Sequence, residues 1–170
     1  MPRVYLSLGS NIAREKHIRA ALRELEDRYG LLLVSPVYES EAVGFEGDPF
    51  FNLVVGLDTE KGVGELAAEL RAIEEAHGRD RRAPKFSART LDIDILTWGN
   101  ACGEIDGIRL PRDEVLKNAF VLRPLADIAG NDRHPETVRS YAEHWDAYDQ
   151  SRQRLWPAAF TPDDPDSEYA

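Results

Sequence analysis

Asp92 and Asp94 alternate with Leu91, Ile93 and Ile95, and five cations, Arg79, Arg81, Arg82, Lys85 and Arg89, stand just before them. A period of two predicts a strand, so both carboxylates project from one face while the aliphatic residues pack behind them. Paired carboxylates beside a cationic loop suit a magnesium polyphosphate. Mg2+ takes one or two protein carboxylates and fills its other octahedral positions with water and phosphate oxygens, leaving the remaining phosphate charge to Arg and Lys. The stretch from Glu74 to Ile95 therefore reads as phosphoryl-transfer machinery. Each half alone has a blander explanation, since an Asp-x-Asp strand is often a solvated face and a run such as RDRRAPK a solvated loop. Their adjacency, in a chain that is acidic elsewhere, favours a site. Repulsion among the five cations, offset only by Asp80, further predicts that residues 79–88 stand open without ligand and close over a bound polyphosphate.

The elements that must position these groups fit into one domain. A chain of 170 residues buries one good core and is short for two. Its 31 acids against 21 Lys and Arg give a formal charge of −10, which argues against nucleic acid or an anionic membrane as partner. The single Cys102 excludes an internal disulfide, the four histidines are scattered, and no apolar run approaches membrane-spanning length, so a cytoplasmic, unprocessed protein is expected.

Along the chain, Val4–Gly9 reads as a strand ending in the turn signal Gly9-Ser10-Asn11, and Ile18, Leu22, Leu25 and Tyr29 give a helix over about 14–29 that stops at Gly30. Leu31–Tyr38 is strand-like but carries Pro36. Residues 39–49 form a long loop. In the strand from Phe50 to Asp58, Phe51, Leu53, Val55 and Leu57 face the core, which leaves Phe50 and Asn52 on the other face. A second helix runs from about Val63 to His77 before Gly78, with Glu74 at its dipole-disfavoured end. Residues 101–110 suggest a hairpin, 120–122 a short strand, Pro124–Ala129 a short helix, and Val138–Tyr148 a weak amphipathic helix. The Pro- and Asp-rich segment 157–170 reads as a disordered acidic tail behind a 1–156 domain. Strand, helix, strand occurs twice. The expected fold is an α+β domain with a ferredoxin-like antiparallel sheet, helices packed on one face and the active site on the other.

With YLSLGSN, SPVYESEAVGF, DPFFNLVV, GRDRRAPKFSARTLDIDIL and LPRDEVLKNAFVLRPL in view, the chain resembles the 6-hydroxymethyl-7,8-dihydropterin pyrophosphokinase family over about residues 4–129. The resemblance implies transfer of diphosphate from ATP to the pterin's hydroxymethyl group in folate biosynthesis, with Mg2+, two ions being expected, on a ferredoxin-like fold. It implies metal binding by Asp92 and Asp94, catalytic roles for Arg79, Arg81 and Arg89, and ATP contacts from Glu74, Lys85, Ile95 and Arg112. It places Phe50 and Phe120 on either side of the pterin, Asn52 at its hydrogen-bonding edge, and Ser40 and Val43 in the loop that completes the pocket. The partners implied are ATP and the pterin alone, with a monomer expected. The chain departs from the family's pattern at three positions. Arg112 stands where many members have histidine, Asn118 where many have arginine, and Phe86 where they have tryptophan. A non-catalytic pterin- or nucleotide-binding regulator and an RNA-binding module are the alternatives. The intact carboxylate pair argues against the first and the acidic charge against the second.

Overall fold

A computed structural model of the protein describes residues 1–41, 47–78 and 90–162. The alternating segment at the start forms β1 (Arg3–Ser10), and the helical spacing that follows forms α1 (Arg14–Tyr29), closed by Gly30 at φ 85°. A residue with a Cβ is strained at that angle, which is why glycine ends the helix. Leu31–Tyr38 does not make one strand. It splits into β2 (Leu33–Val34) and β3 (Tyr38–Ser40) around Pro36, which has no N–H to give to a ladder. Ser35 bridges the break, donating its N–H to the Val54 carbonyl and accepting the Val54 N–H on its Oγ, both at 2.9 Å.

β4 (Phe50–Asp58), α2 (Val63–Ala76) and β5 (Asp92–Trp98) follow. β6 (Gly103–Ile105) and β7 (Ile108–Leu110) make the expected hairpin through Asp106 and Gly107, at φ 52° and 80°. Two positive φ angles are what a two-residue type I′ turn requires. The chain continues through α3 (Glu114–Lys117), α4 (Ala119–Ala129), α5 (Tyr141–Ala147) and β8 (Leu155–Pro157). The main sheet is antiparallel in the order β5-β1-β4-β3-β8, with β2 also on β4. Among the described residues no helix is long and apolar enough to cross a membrane.

Helices cover both faces of this sheet, which corrects the expectation of helices on one face only. α1 and α2 share a face as expected, burying Ile18, Leu22, Leu25, Leu66, Leu70 and Ile73 against Leu6, Leu8, Phe51, Leu53, Ile93 and Ile95. On the opposite face Tyr5, Val54 and Leu96 pack under Val115, Val121, Leu122, Leu125 and Tyr141 from α3, α4 and α5. The strand expected over 120–122 is the first turn of α4, whose Pro124 lies inside the helix rather than at its start. Proline usually opens a helix because its missing N–H is free there. In α4 the stripe Ala119, Leu122, Leu125 and Ala129, all buried, outweighs the one lost bond. The site therefore has only the end of the sheet face that these helices leave open.

The segment that follows residue 154 packs on the same sheet. β8 pairs with β3 as the outermost strand, and Phe160, 7% exposed, joins the core stacked on Phe51 with ring centroids 5.1 Å apart. Pro157 and Phe160, expected in the tail, thus belong to the sheet and the core. Phe160→Ala should lower unfolding free energy by about 3 kcal/mol, as expected for removing a buried ring. Urea unfolding of the two proteins checks this, and an unchanged midpoint would show that the segment merely rests on the surface.

Candidate active site

Register brings the site together. Gly9 of β1 pairs with Asn52 of β4 on one side and with Asp92 of β5 on the other, and Ser7 lies between Val54 and Asp94 in the next row of that face. Residues directly opposite across neighbouring strands point to the same face. Asn52, Gly9 and Asp92 therefore form one row at the open end, while Tyr5, Val54 and Leu96 lie under the helices at the other end. A register shift opposite Leu96 turns the last residues of β5, and Trp98 returns to the α1/α2 core.

Asp94 is the electrostatic centre. Its carboxyl is pushed up to about 7, first by burial and then by Asp92, with Arg112 opposing. The Arg112 guanidinium lies 3.6 Å from Asp94 Oδ1 and, through Nε, 3.6 Å from Glu114. Its backbone N–H donates to the Leu96 carbonyl at 2.9 Å, which fixes the residue beside β5. Two carboxylates on a strand, rather than a closed cage of protein donors, fit a magnesium ion whose other ligands come from phosphate and water.

On the far side of the row, the buried Asn52 amide donates from Nδ2 to Ser40 Oγ at 2.7 Å and to the Phe50 carbonyl at 3.5 Å. A carbonyl can only accept, so this pairing assigns the nitrogen to that side and leaves Oδ1 toward Gly9. Phe50 is half-buried on the same face, and half-buried Phe120 sits in the first turn of α4 at the margin of the second apolar cluster. Tyr38, paired with Asn52, donates its hydroxyl to Asp127 of α4, and Arg123 of α4 lies 4.8 Å over its ring. α4 is thereby tied to β3, the strand paired with the one that carries the amide.

Two expected ATP contacts, Ile95 and Glu74, lie along the edge of β5. Ile95 is 4% exposed and its side chain belongs to the core, so only its backbone can serve a ligand. Glu74, 3% exposed, accepts the Ile93 N–H at 2.8 Å on Oε2. This tertiary bond across the edge of β5 offsets its poor position at a helix C-terminus. Since the Ile93 N–H points away from β1, the backbone of Ile95, two residues on, faces the same open edge. Asn118 serves the fold, because its carbonyl accepts the Val121 and Leu122 N–H groups that start α4 and its Oδ1 accepts from Gln153 at 2.9 Å. Arg79, Arg81, Lys85, Arg89 and Val43 lie outside the described residues, as do Phe86 and the expected loop closure over 79–88.

Sequence reasoning passed over Ser10 and Asn11. Both are buried. Ser10 Oγ donates to the Thr90 carbonyl at 2.6 Å and Asn11 Nδ2 to the Asp48 carbonyl at 3.2 Å, so the turn after β1 anchors the chain on both sides of the site. Their signal was present as the Gly-Ser-Asn triplet, read as a turn and as part of the family resemblance, with no role given to either side chain.

A strand carboxylate pair answered by an arginine shares one sheet face with an amide in register and with an aromatic ring, an arrangement suited to phosphoryl transfer. The chain belongs to the 7,8-dihydro-6-hydroxymethylpterin-pyrophosphokinase (HPPK) family, whose sequence model matches residues 5–130. It is 40% identical over 138 residues to the 2-amino-4-hydroxy-6-hydroxymethyldihydropteridine pyrophosphokinase of Pseudomonas aeruginosa, covering 79% of this chain and 85% of that one. Against the Bacillus subtilis protein of the same name it is 33% identical over 156 residues, covering 89% of each. A solved HPPK-DHPS structure in complex with substrates superposes with a TM-score of 0.68 at 15% identity, over 89% of this chain and 44% of that chain. At that identity the likeness concerns the fold.

Proposed function

We propose that the protein transfers the terminal diphosphate of ATP to the hydroxymethyl group of 6-hydroxymethyl-7,8-dihydropterin, releasing AMP, in folate biosynthesis. The observation that carries this reading is the row in which the Asn52 amide and the Asp92 carboxylate face one open end of the sheet across Gly9. The alcohol oxygen forms a bond to the β-phosphorus of ATP, its proton passing to solvent, as the bond from that phosphorus to the AMP oxygen breaks. Little covalent chemistry is asked of the protein, so alignment and charge stabilisation supply the rate.

Asp92 and Asp94 would hold Mg2+, with two ions expected; bound there, the metal neutralises phosphate charge and polarises the reacting oxygens. Asn52, its amide set by Ser40, reads the pterin edge, and Phe50 and Phe120 orient its rings, with Val43 completing the pocket. The edge backbone at Ile95, held near Glu74, receives the nucleotide together with Lys85 and Arg112. Arg79, Arg81 and Arg89 stabilise the transferring group. The fold that presents them, strand-helix-strand twice over, is read as ferredoxin-like, and the protein as a cytoplasmic monomer. AMP release from ATP, measured with and without the pterin and magnesium, tests the proposal. Release that ignores the pterin would defeat it.

Arg112 allows a narrower check. Its pairing with Asp94 supports a nucleotide-side role, so Arg112→Ala should weaken Mg–ATP binding by roughly tenfold, as for loss of one charge-assisted contact. Pterin affinity should stay within about twofold, because Arg112 is held by Asp94 and Glu114 and not by Asn52 or Phe50. Titration calorimetry showing unchanged nucleotide affinity would confine Arg112 to holding Asp94.

A further inference from the structure

Arg19 is buried on α1, at 4% exposure, whereas Arg23 and Arg28 of the same helix are exposed. Its Nε donates to the Pro162 carbonyl at 3.1 Å, and its guanidinium lies 4.8 Å over the Phe160 ring. Nη1 and Nη2 are both buried and have no hydrogen-bond partner among the described residues, Glu15 one turn earlier on α1 included. Arginine keeps its charge inside proteins and carries four of its five donors on those two nitrogens. Burying them unbonded is costly, and stacking on one ring offsets only part of that cost. The path of the chain supplies a partner. Phe160 is stacked on Phe51 and the Ala158 N–H donates to the Val37 carbonyl at 2.9 Å, so the backbone arrives at Pro162 on a fixed course. Asp163 and Asp164 come next, in a segment, 163–170, that holds four acids and no Lys or Arg. A residue spans at most about 3.6 Å of chain, so both carboxylates are within reach of the guanidinium that already holds Pro162.

We propose that Arg19, backed by Phe160, is the docking receptor for the acidic segment that begins at Asp163, and that a carboxylate of Asp163 or Asp164 takes up Nη1 and Nη2. The two nitrogens form the fork that a carboxylate matches with two parallel bonds, the strongest pairing open to arginine. An acid one or two residues from Pro162 is tethered at high effective concentration, which a free anion entering so closed a site would have to match. The receptor lies on the α1/α2 side of the sheet, behind the row that carries Asn52 and Asp92, and does not rest on the diphosphokinase reading. Docking there braces β4 through Phe51, the residue between Phe50 and Asn52.

Thermal melts of the full chain test this through the sign of the shift. In a protein of formal charge −10, neutralising two acids relieves repulsion and should raise the melting temperature slightly. The double variant Asp163→Asn/Asp164→Asn should instead lower it by about 5 °C or more, as when one partner of a buried ion pair is removed from a domain of this size. The control Asp166→Asn/Glu168→Gln should not lower it. Combined with Arg19→Met, the substitutions at Asp163 and Asp164 should shift melting by no more than about 1 °C, because the cation they serve is gone. A melting temperature that is unchanged or raised in Asp163→Asn/Asp164→Asn overturns the inference and leaves the guanidinium to buried water. An equal fall with and without Arg19→Met also overturns it, as does a fall of the same size in both acid pairs. If Arg19→Met does not fold, the contrast in sign between the two acid pairs decides alone.

Discussion

Asp94→Asn will abolish diphosphate transfer and at the same time stabilise the ligand-free protein at pH 8. The first half follows from the role proposed for the carboxylate: removing a charge that holds the metal costs several kcal/mol of transition-state stabilisation, or roughly a thousandfold or more in turnover. The second half follows from electrostatics. Burial and the neighbouring Asp92 raise the Asp94 carboxyl to about 7. An acid raised on folding is protonated in the folded protein and ionised in the unfolded chain between the unfolded value, near 4, and about 7. The folded state then binds the extra proton, so stability falls as pH rises through that window and the full penalty persists above it. A neutral amide of the same shape removes the penalty.

A rise from near 4 to about 7 corresponds to an upper limit of about 4 kcal/mol. The side chain is 26% exposed, so solvent screening and relaxation reduce the gain to about 1–2 kcal/mol. That is roughly 3–6 °C in melting temperature for a domain of this size. The gain should be mostly gone by pH 4, close to the unfolded value, and vanish below it, where the acid is neutral in both states. Melts of both proteins at pH 4 and pH 8, beside an AMP-release assay, check the pair of claims. Equal melting at pH 8 would mean that the carboxylate is not strained in the free protein, and retained turnover would remove Asp94 from the site. Asp92→Asn should lose turnover comparably.

Phe50→Ala and Phe120→Ala will each weaken pterin binding far more than Mg–ATP binding. Phe50 sits at the mouth of the row beside Gly9, and Phe120 projects from the first turn of α4. If they bracket the ring, each loses about 0.5–1.5 kcal/mol of stacking in addition to buried area, so roughly tenfold or more in affinity. Phe120 also packs at the margin of the second apolar cluster, so its variant should melt lower while that of Phe50 should not. Calorimetric titration of both ligands separates the cases. Unchanged pterin affinity in both variants removes the sandwich, and equal loss of pterin and nucleotide affinity in Phe120→Ala would assign that residue to support of α4.

Whatever depends on local periodicity was legible in the amino-acid order alone. The alternation of Asp92 and Asp94 with aliphatic neighbours put both carboxylates on one face, and the phasing of Phe51, Leu53, Val55 and Leu57 freed Phe50 and Asn52 for the same side. The spacing of Ile18, Leu22 and Leu25, and of Val63, Leu66, Leu70 and Ile73, set the two helices that cover the core. All of these patterns are written within single elements, where the 2.0- and 3.6-residue repeats leave little choice of face.

Whatever required two elements at once waited for the folded chain. That Gly9 lies between Asn52 and Asp92 depends on the register of three strands, which no local period specifies. That Glu74 holds the Ile93 N–H depends on α2 lying along β5. The second helical layer escaped a sequence reading because Pro124 breaks the usual rule for helix interiors and because Tyr5, Val54 and Leu96 come from three separate strands. The order of Phe160 escaped it because its partner, Phe51, is more than a hundred residues away. A polar, proline-rich segment looks unable to bury anything until the distant ring that receives it is in place, because burial is a property of pairs and composition is a property of segments.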